Sequence, residues 1–174
     1  MDSPPRLPLT LISHAMWSVN VRTALPDRWD EIRHEAYRRA GHRCEACGGT
    51  SGGRPLQAHE YFSYAGDRQV LLHIACLCDV CHSATHLSRT RSFSGSNRVA
   101  KEALEKLAEV NGWTIRQAAE YAQRELALCE ERGSVTYRLD LSVLQRDFGI
   151  DVPSEYRADG GSRGLLGRLL GAAR

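Results

Sequence analysis

The chain opens with no regular alternation of apolar and polar residues, and residues 1–25 read equally as a proline-containing arm laid over the core, with Trp17 and Val19 as docking points, or as a frayed tail. The pattern then becomes helical. In "PDRWDEIRHEAYRRAG" the apolar positions Trp29, Ile32, Ala36 and Ala40 recur every three or four residues, Asp27 sits where an N-cap belongs, and Gly41 follows as a stop. After the glycine-rich "GGTSGGRP" the segments "LQAHEYFSY" and "QVLLHIACL" read as two short strands joined through "AGDR" as a hairpin. "DVCHSATHLS" reads as a short helix, because Cys78, Cys81, His82 and His86 fall at spacings that share one helical face. A serine-rich basic link, "SRTRSFSGSNR", leads to "VAKEALEKLAEVNG", an amphipathic helix with Val99, Ala103, Leu107 and Val110 inward and Gly112 as terminator. A further helix opens with Thr114 and Gln117 in capping-box spacing and closes at Gly133, and "SVTYRLDLSVLQRDFGI" adds a strand and a helical turn. From Asp151 the chain turns glycine-rich, and residues 151–174 are expected to leave the folded body as a flexible tail.

A chain of 174 residues suffices for one domain with a real core and an extension. The organisation read from it is an arm over 1–25, a metal-stapled domain over 26–95, a helical extension over 96–150 and the tail, in an α+β fold. Lysine and arginine total 23 against 21 acidic residues, so net charge neither demands nor excludes a nucleic-acid partner. No run of some 18 apolar residues suggests a membrane helix, and the first residues lack the basic and apolar regions of a secretion signal; a cytoplasmic protein is expected.

The cysteines change the picture. Four of the six form two Cys-x-x-Cys pairs, Cys44/Cys47 and Cys78/Cys81, with 30 residues between them, enough for a hairpin to leave and return. Two such knuckles supply four thiolates to one tetrahedral ion, so a structural zinc is expected there, while Cys76 and Cys129 are expected to be plain buried residues. A redox role for the pairs has no thioredoxin-like β-α-β pattern to support it. His82 and His86, one turn apart, can point at a second ion or be ordinary helix residues. His59 and Glu60, in "QAHEYF", lie where the first strand would deliver a further ligand.

The order of a Cys-x-x-Cys knuckle, a strand carrying "HE", a strand ending "HIACLC" and then "DVCHSATH" resembles the HNH endonuclease family, whose core is the ββα-metal finger. The resemblance covers about residues 42–88. It implies a metal-dependent hydrolase acting on phosphodiester bonds, with DNA as the expected substrate and a second divalent ion (zinc, nickel, cobalt, manganese or magnesium) beside the structural zinc. By position it implies His59, His82 and His86 as ligands of that ion and His73 at the place of the family's base-orienting asparagine. Glu60 stands where the family carries its catalytic histidine. Three registrations follow: Glu60 as the base; His59 as the base with Glu60 binding the ion; or a finger that has lost catalysis and only binds nucleic acid or protein. Imidazole ligands suit the transition metals better than magnesium, whereas a Glu60 ligand would widen the choice.

Phosphate contacts are expected from Arg89, Arg91 and Arg98 in the link after His86, with Arg38, Arg39 and Arg43 as a second group. Tyr61, Phe62 and Tyr64 are candidates for base stacking or, more simply, for the core.

Overall fold

A computed structural model describes residues 4–12, 16–50, 52–87 and 97–158. Its centre is the hairpin of β1 (Gln57–Ala65) and β2 (Arg68–Leu77), which pair antiparallel around a two-residue loop whose first member, Gly66, has a φ of +57°. A short β3 (Arg138–Asp140) adds parallel to β2, giving the sheet order β1-β2-β3. Tyr61 pairs with His73 but Phe62 pairs with Leu71, so Leu72 is an extra residue on β2, a bulge that leaves its side chain 55% exposed.

Helices cover both faces of the hairpin. On one face lie α1 (Val21–Ala24), α2 (Trp29–Arg39) and a late helix, Ser142–Phe148. They bury Val21, Ile32, Phe62, Leu71, Ile74, Leu144, Ile150 and Val152 in one core. On the other face lie α3 (Asp79–Thr85), α4 (Asn97–Asn111) and α5 (Ile115–Arg132), which enclose a second core of Ala75, Leu77, Leu107, Ala118 and Ala122 together with Cys44, Cys78 and Cys81. The late helix Ser142–Phe148 is α6. The fold is thus α+β, with a small sheet between helical layers. No helix among the described residues is long and apolar enough to cross a membrane.

Several elements end as their residues dictate. α2 stops in a Schellman motif: Gly41 N–H donates to Arg38 C=O and His42 N–H to Tyr37 C=O, with Gly41 at a φ of +59°. α5 opens with the full Thr114–Gln117 capping box. Asp27, by contrast, caps nothing: Pro26 starts a 3-10 turn, Pro26–Arg28, that contains Asp27 and feeds α2 from Arg28. The arm is held by Leu7, Leu9 and Leu11, which alternate into the core beside the cysteines. Asn111 grips it, its Oδ1 accepting from Leu7 N–H and its Nδ2 donating to Leu7 C=O, and the Tyr121 hydroxyl accepts from Leu9 N–H. Trp17, expected as an anchor, is 39% exposed, while Val19 does pack on the core of α1 and α2.

At the other end the chain remains part of the body through Ala158, beyond the expected start of the tail at Asp151. Val152 is fully buried, Leu141 N–H donates to Tyr156 C=O, and Arg68 bridges the Asp140 carboxylate and the Ala158 carbonyl. An apolar Val152 at the open end of the α1/α2 core outweighs the local loss of periodicity. Residues 159–174 lie outside the described residues.

Candidate metal centres

The first knuckle is a tight turn: Gly48, at a φ of +73°, donates its N–H to Cys44 C=O, and Cys44 N–H donates to Gly49 C=O. It is tied to the end of β2, where Glu45 N–H donates to Cys76 C=O. The second knuckle begins where β2 ends, with Cys78 as the residue before α3 and Cys81 fully buried inside it. The hairpin therefore carries one pair of thiols back to the other. One sulfur of each of Cys44, Cys47, Cys78 and Cys81 lies within 4.8 Å of all the others. The Cys47 and Cys78 sulfurs are 3.8 Å apart, and two ligands about 2.3 Å from a tetrahedral zinc are separated by about 3.8 Å. All six cysteines are free thiols, and Cys76 and Cys129 are buried outside the cluster. A hydrogen bond from Cys81 draws the Cys44 thiol down to about 4, while that same bond and burial drive the Cys81 thiol far up. The cluster could hold a metal ion such as zinc, which binds thiolates and displaces their protons.

The second constellation is histidine. His59 on β1 faces α3, where His82 and His86 stand one turn apart, and each of the three offers a ring nitrogen within 4.8 Å of the others. The Nε2 atoms of His82 and His86 are 3.2 Å apart, against about 3.3–3.4 Å for two imidazoles at about 2.0–2.1 Å on one tetrahedral ion. His59 is buried, its ring edge-on to Tyr61, His82 and His86 with centroids 4.9, 5.4 and 5.0 Å away. Burial, with the neighbouring His86 and His82, holds its pKa well below the ordinary histidine range, so the ring is neutral. Its Nε2 is a buried polar atom with no hydrogen-bond partner among the described residues. A buried polar atom left unpaired costs free energy, and a cation is what a neutral imidazole lone pair would satisfy. The donor set fits a divalent ion.

The other expected site residues are distributed differently. Glu60, next to His59 on a strand, points to the opposite face. There its Oε1 accepts from Val21 N–H at 2.6 Å, fastening the start of α1 beside the cap that Asn20 gives to Thr23. Burial lifts the Glu60 carboxyl to about 7 against the pull of the Val21 and Arg22 amides. It is not in the imidazole cluster. His73 pairs with Tyr61 across the hairpin and so lies on the His59 face, as its diagonal neighbour. Its Nε2 is 2.6 Å from Glu45 Oε2, and Glu45 Oε1 accepts from Cys76 N–H at 2.8 Å. Although burial opposes it, those two contacts keep the Glu45 carboxyl below its ordinary range.

Of the expected phosphate contacts, Arg89 and Arg91 lie outside the described residues. Arg98 stands exposed at the start of α4, 3.4 Å from Glu102. Arg38 and Arg39 both bind Glu35, Arg39 also stacks over Phe148 at 4.4 Å, and Arg43 reaches Gly48 C=O, so this group is engaged within the protein. Phe62 is buried, and Tyr61 and Tyr64 pack against the two cores.

Sequence reasoning passed over Thr85 and Glu45. Thr85 is three residues after His82 and so on its helical face, and Glu45 is the acidic residue inside the first knuckle, signals visible only once the neighbouring residues have roles. Comparison of the chain with protein-family models, with curated proteins and with solved structures found no match.

Proposed function

We propose that this chain is a divalent-cation-dependent nuclease of the ββα-metal type, hydrolysing phosphodiester bonds in DNA, with a structural zinc on the four cysteines and a second cation on His59, His82 and His86. The observation that carries the reading is the convergence of three imidazoles, from one strand and one helix, together with a buried His59 Nε2 that no described protein group satisfies. A histidine that merely fills a core has its polar atoms paired.

Three protein ligands, rather than four, are what catalytic zinc sites present. His59 closes one side of the site by burial, whereas His82 and His86 are half-buried and leave the α3 side for substrate. When bound, the ion supplies Lewis-acid charge to a phosphoryl oxygen and acidity to a water. Nitrogen ligands favour zinc, nickel, cobalt or manganese over magnesium. His73 is assigned the proton transfer, because it is the remaining imidazole on that face of the hairpin and Glu45 holds its ring. Glu60 is assigned a structural task on the other face. Arg98, with Arg89 and Arg91 before it, is assigned to phosphate.

One observation favours a second reading, a zinc-stapled module that binds nucleic acid or protein without cleaving it: the residue at the base position, Glu60, is turned into the body and engaged with Val21. Nicking of supercoiled plasmid with zinc, nickel, cobalt, manganese and magnesium separates the two. Cleavage with at least one ion, lost by at least about 100-fold in His82→Ala, is expected of the nuclease. No cleavage with any ion, or undiminished cleavage by His82→Ala, refutes it, and retention of DNA in a gel shift would then support the binding module.

A further inference from the structure

Thr85 closes α3 and is fully buried, in contact with His59. Its hydroxyl donates to His82 C=O at 2.7 Å, the back-bond that a helical threonine makes to the preceding turn. A hydroxyl has one proton, so with that proton on the carbonyl the oxygen can only accept from a further neighbour. That neighbour is His59 Nδ1, 3.4 Å away. A neutral imidazole carries one N–H, and only an N–H can meet an oxygen lone pair, so the His59 proton belongs on Nδ1 and the lone pair on Nε2. Nε2 is the ring atom left without a partner among the described residues, and His59 belongs to the imidazole cluster. The edge-on Tyr61 ring, with its centroid 4.9 Å away, packs against the side of His59 and resists a flip that would exchange the two nitrogens.

We propose that Thr85 is the positioning residue of the imidazole site: by accepting from His59 Nδ1–H while donating to His82 C=O, it fixes the tautomer in which His59 presents Nε2 to a divalent cation. The proposal rests on the reading of His59, His82 and His86 as one cation site. Its consequence is a rigid link between strand and helix. The helix that supplies two ligands also sets the orientation and tautomer of the third, so the site is in place before the cation arrives, and the strand ligand cannot turn independently of α3. Groups that orient a metal-bound histidine in this way are worth about 10–100-fold in metal affinity.

The test uses the full chain with zinc on the cysteines. Long-range ¹H–¹⁵N spectra of the histidine rings, recorded before any second ion is added, read the His59 tautomer directly, and calorimetric titration with Co²⁺, with His59→Ala as the blank, reads affinity. Wild type is expected to show Nδ1–H at His59. Thr85→Val, nearly isosteric, is expected to lose that single tautomer and to bind Co²⁺ about 10–100-fold more weakly, and Thr85→Ser to restore both. An Nε2–H tautomer in wild type overturns the proposal, as does an unchanged tautomer and affinity in Thr85→Val. Absence of Co²⁺ binding to the wild-type imidazoles overturns it together with the cation site. The expected tautomer and affinity changes in a wild type that cleaves no DNA would leave the Thr85 assignment standing and remove only the nuclease reading.

Discussion

Glu60→Gln distinguishes a catalytic carboxylate from a structural one. Glu60 Oε1 receives Val21 N–H at 2.6 Å, and the side chain also engages the Arg22 amide. Glutamine keeps a carbonyl oxygen at that place, so the variant exchanges hydrogen bonds to a charged group, each worth about 1.5–3 kcal/mol, for neutral ones worth about 0.5–1.5 kcal/mol. Relief of the burial that strains the carboxylate offsets part of this. The net change is about 1 kcal/mol in either direction, a shift of some 2–4 °C in thermal midpoint for a chain of this size. Glu60→Ala removes the acceptor and leaves the amides open, at a cost of about 2–5 kcal/mol. Plasmid nicking by Glu60→Gln with the most effective divalent ion is expected to stay within about threefold of wild type, since loss of a true general base costs about 10²–10⁴-fold. A fall of 100-fold or more in a variant that melts normally would show that Glu60 does the chemistry, and would refute the assignment of the proton transfer to His73.

Cys81→Ser removes a fully buried ligand from the four-thiol cluster. Structural zinc contributes about 10–16 kcal/mol in small metal-folded peptides, as much as a whole domain's stability, so the variant is expected to lose its tightly held zinc and its cooperative thermal transition, whereas Cys129→Ser, outside the cluster, retains both. Metal analysis with circular dichroism checks this, and a Cys81→Ser protein that stays folded with one zinc would refute the structural site. Glu35 gives the acid dependence: hydrogen bonds from Arg38 and Arg39 depress its carboxyl to about 2, from 4.5. A depressed carboxylate stabilises the fold above its unfolded pKa and loses that contribution as the pH falls through the folded value, so Glu35→Gln should flatten the stability profile between about pH 5 and 2. The effect is small and screened by added salt because the ion pairs lie at the surface, with the partner arginines exposed; an identical acid profile in Glu35→Gln denaturation curves would refute it.

Much of this molecule is written in short-range pattern. The Gly41 stop, the Thr114–Gln117 box, the Gly66 loop and the two Cys-x-x-Cys knuckles each depend on residues a few positions apart, where backbone geometry alone decides. The four-cysteine cluster was legible for that reason: two knuckles and a hairpin leave little freedom in where the sulfurs meet. The spacing of His82 and His86 likewise brings them to one side of α3 from helical period alone.

The strand told less. Period-two alternation requires His59 and Glu60 to face opposite sides, but nothing in "AHEYF" says which side meets α3; that is decided by the helices packed on each face, which turn His59 to the imidazoles and Glu60 to Val21. Local composition also misjudged the ends. The leucines of the arm and Val152 near the other end are apolar residues that share their cores with residues distant in sequence, such as Leu107 and Ile32, and burial in those cores is what docks them.

The sequence by itself therefore determined the candidate ligand types, their spacing within each knuckle and helix turn, and most element ends, because these depend on covalent neighbours. Only the tertiary structure decided that Thr85 meets His59 across 26 residues, that Glu45 holds His73 across 28, and that Glu60 turns away, because each depends on which faces pack together, a choice made by the two cores as a whole.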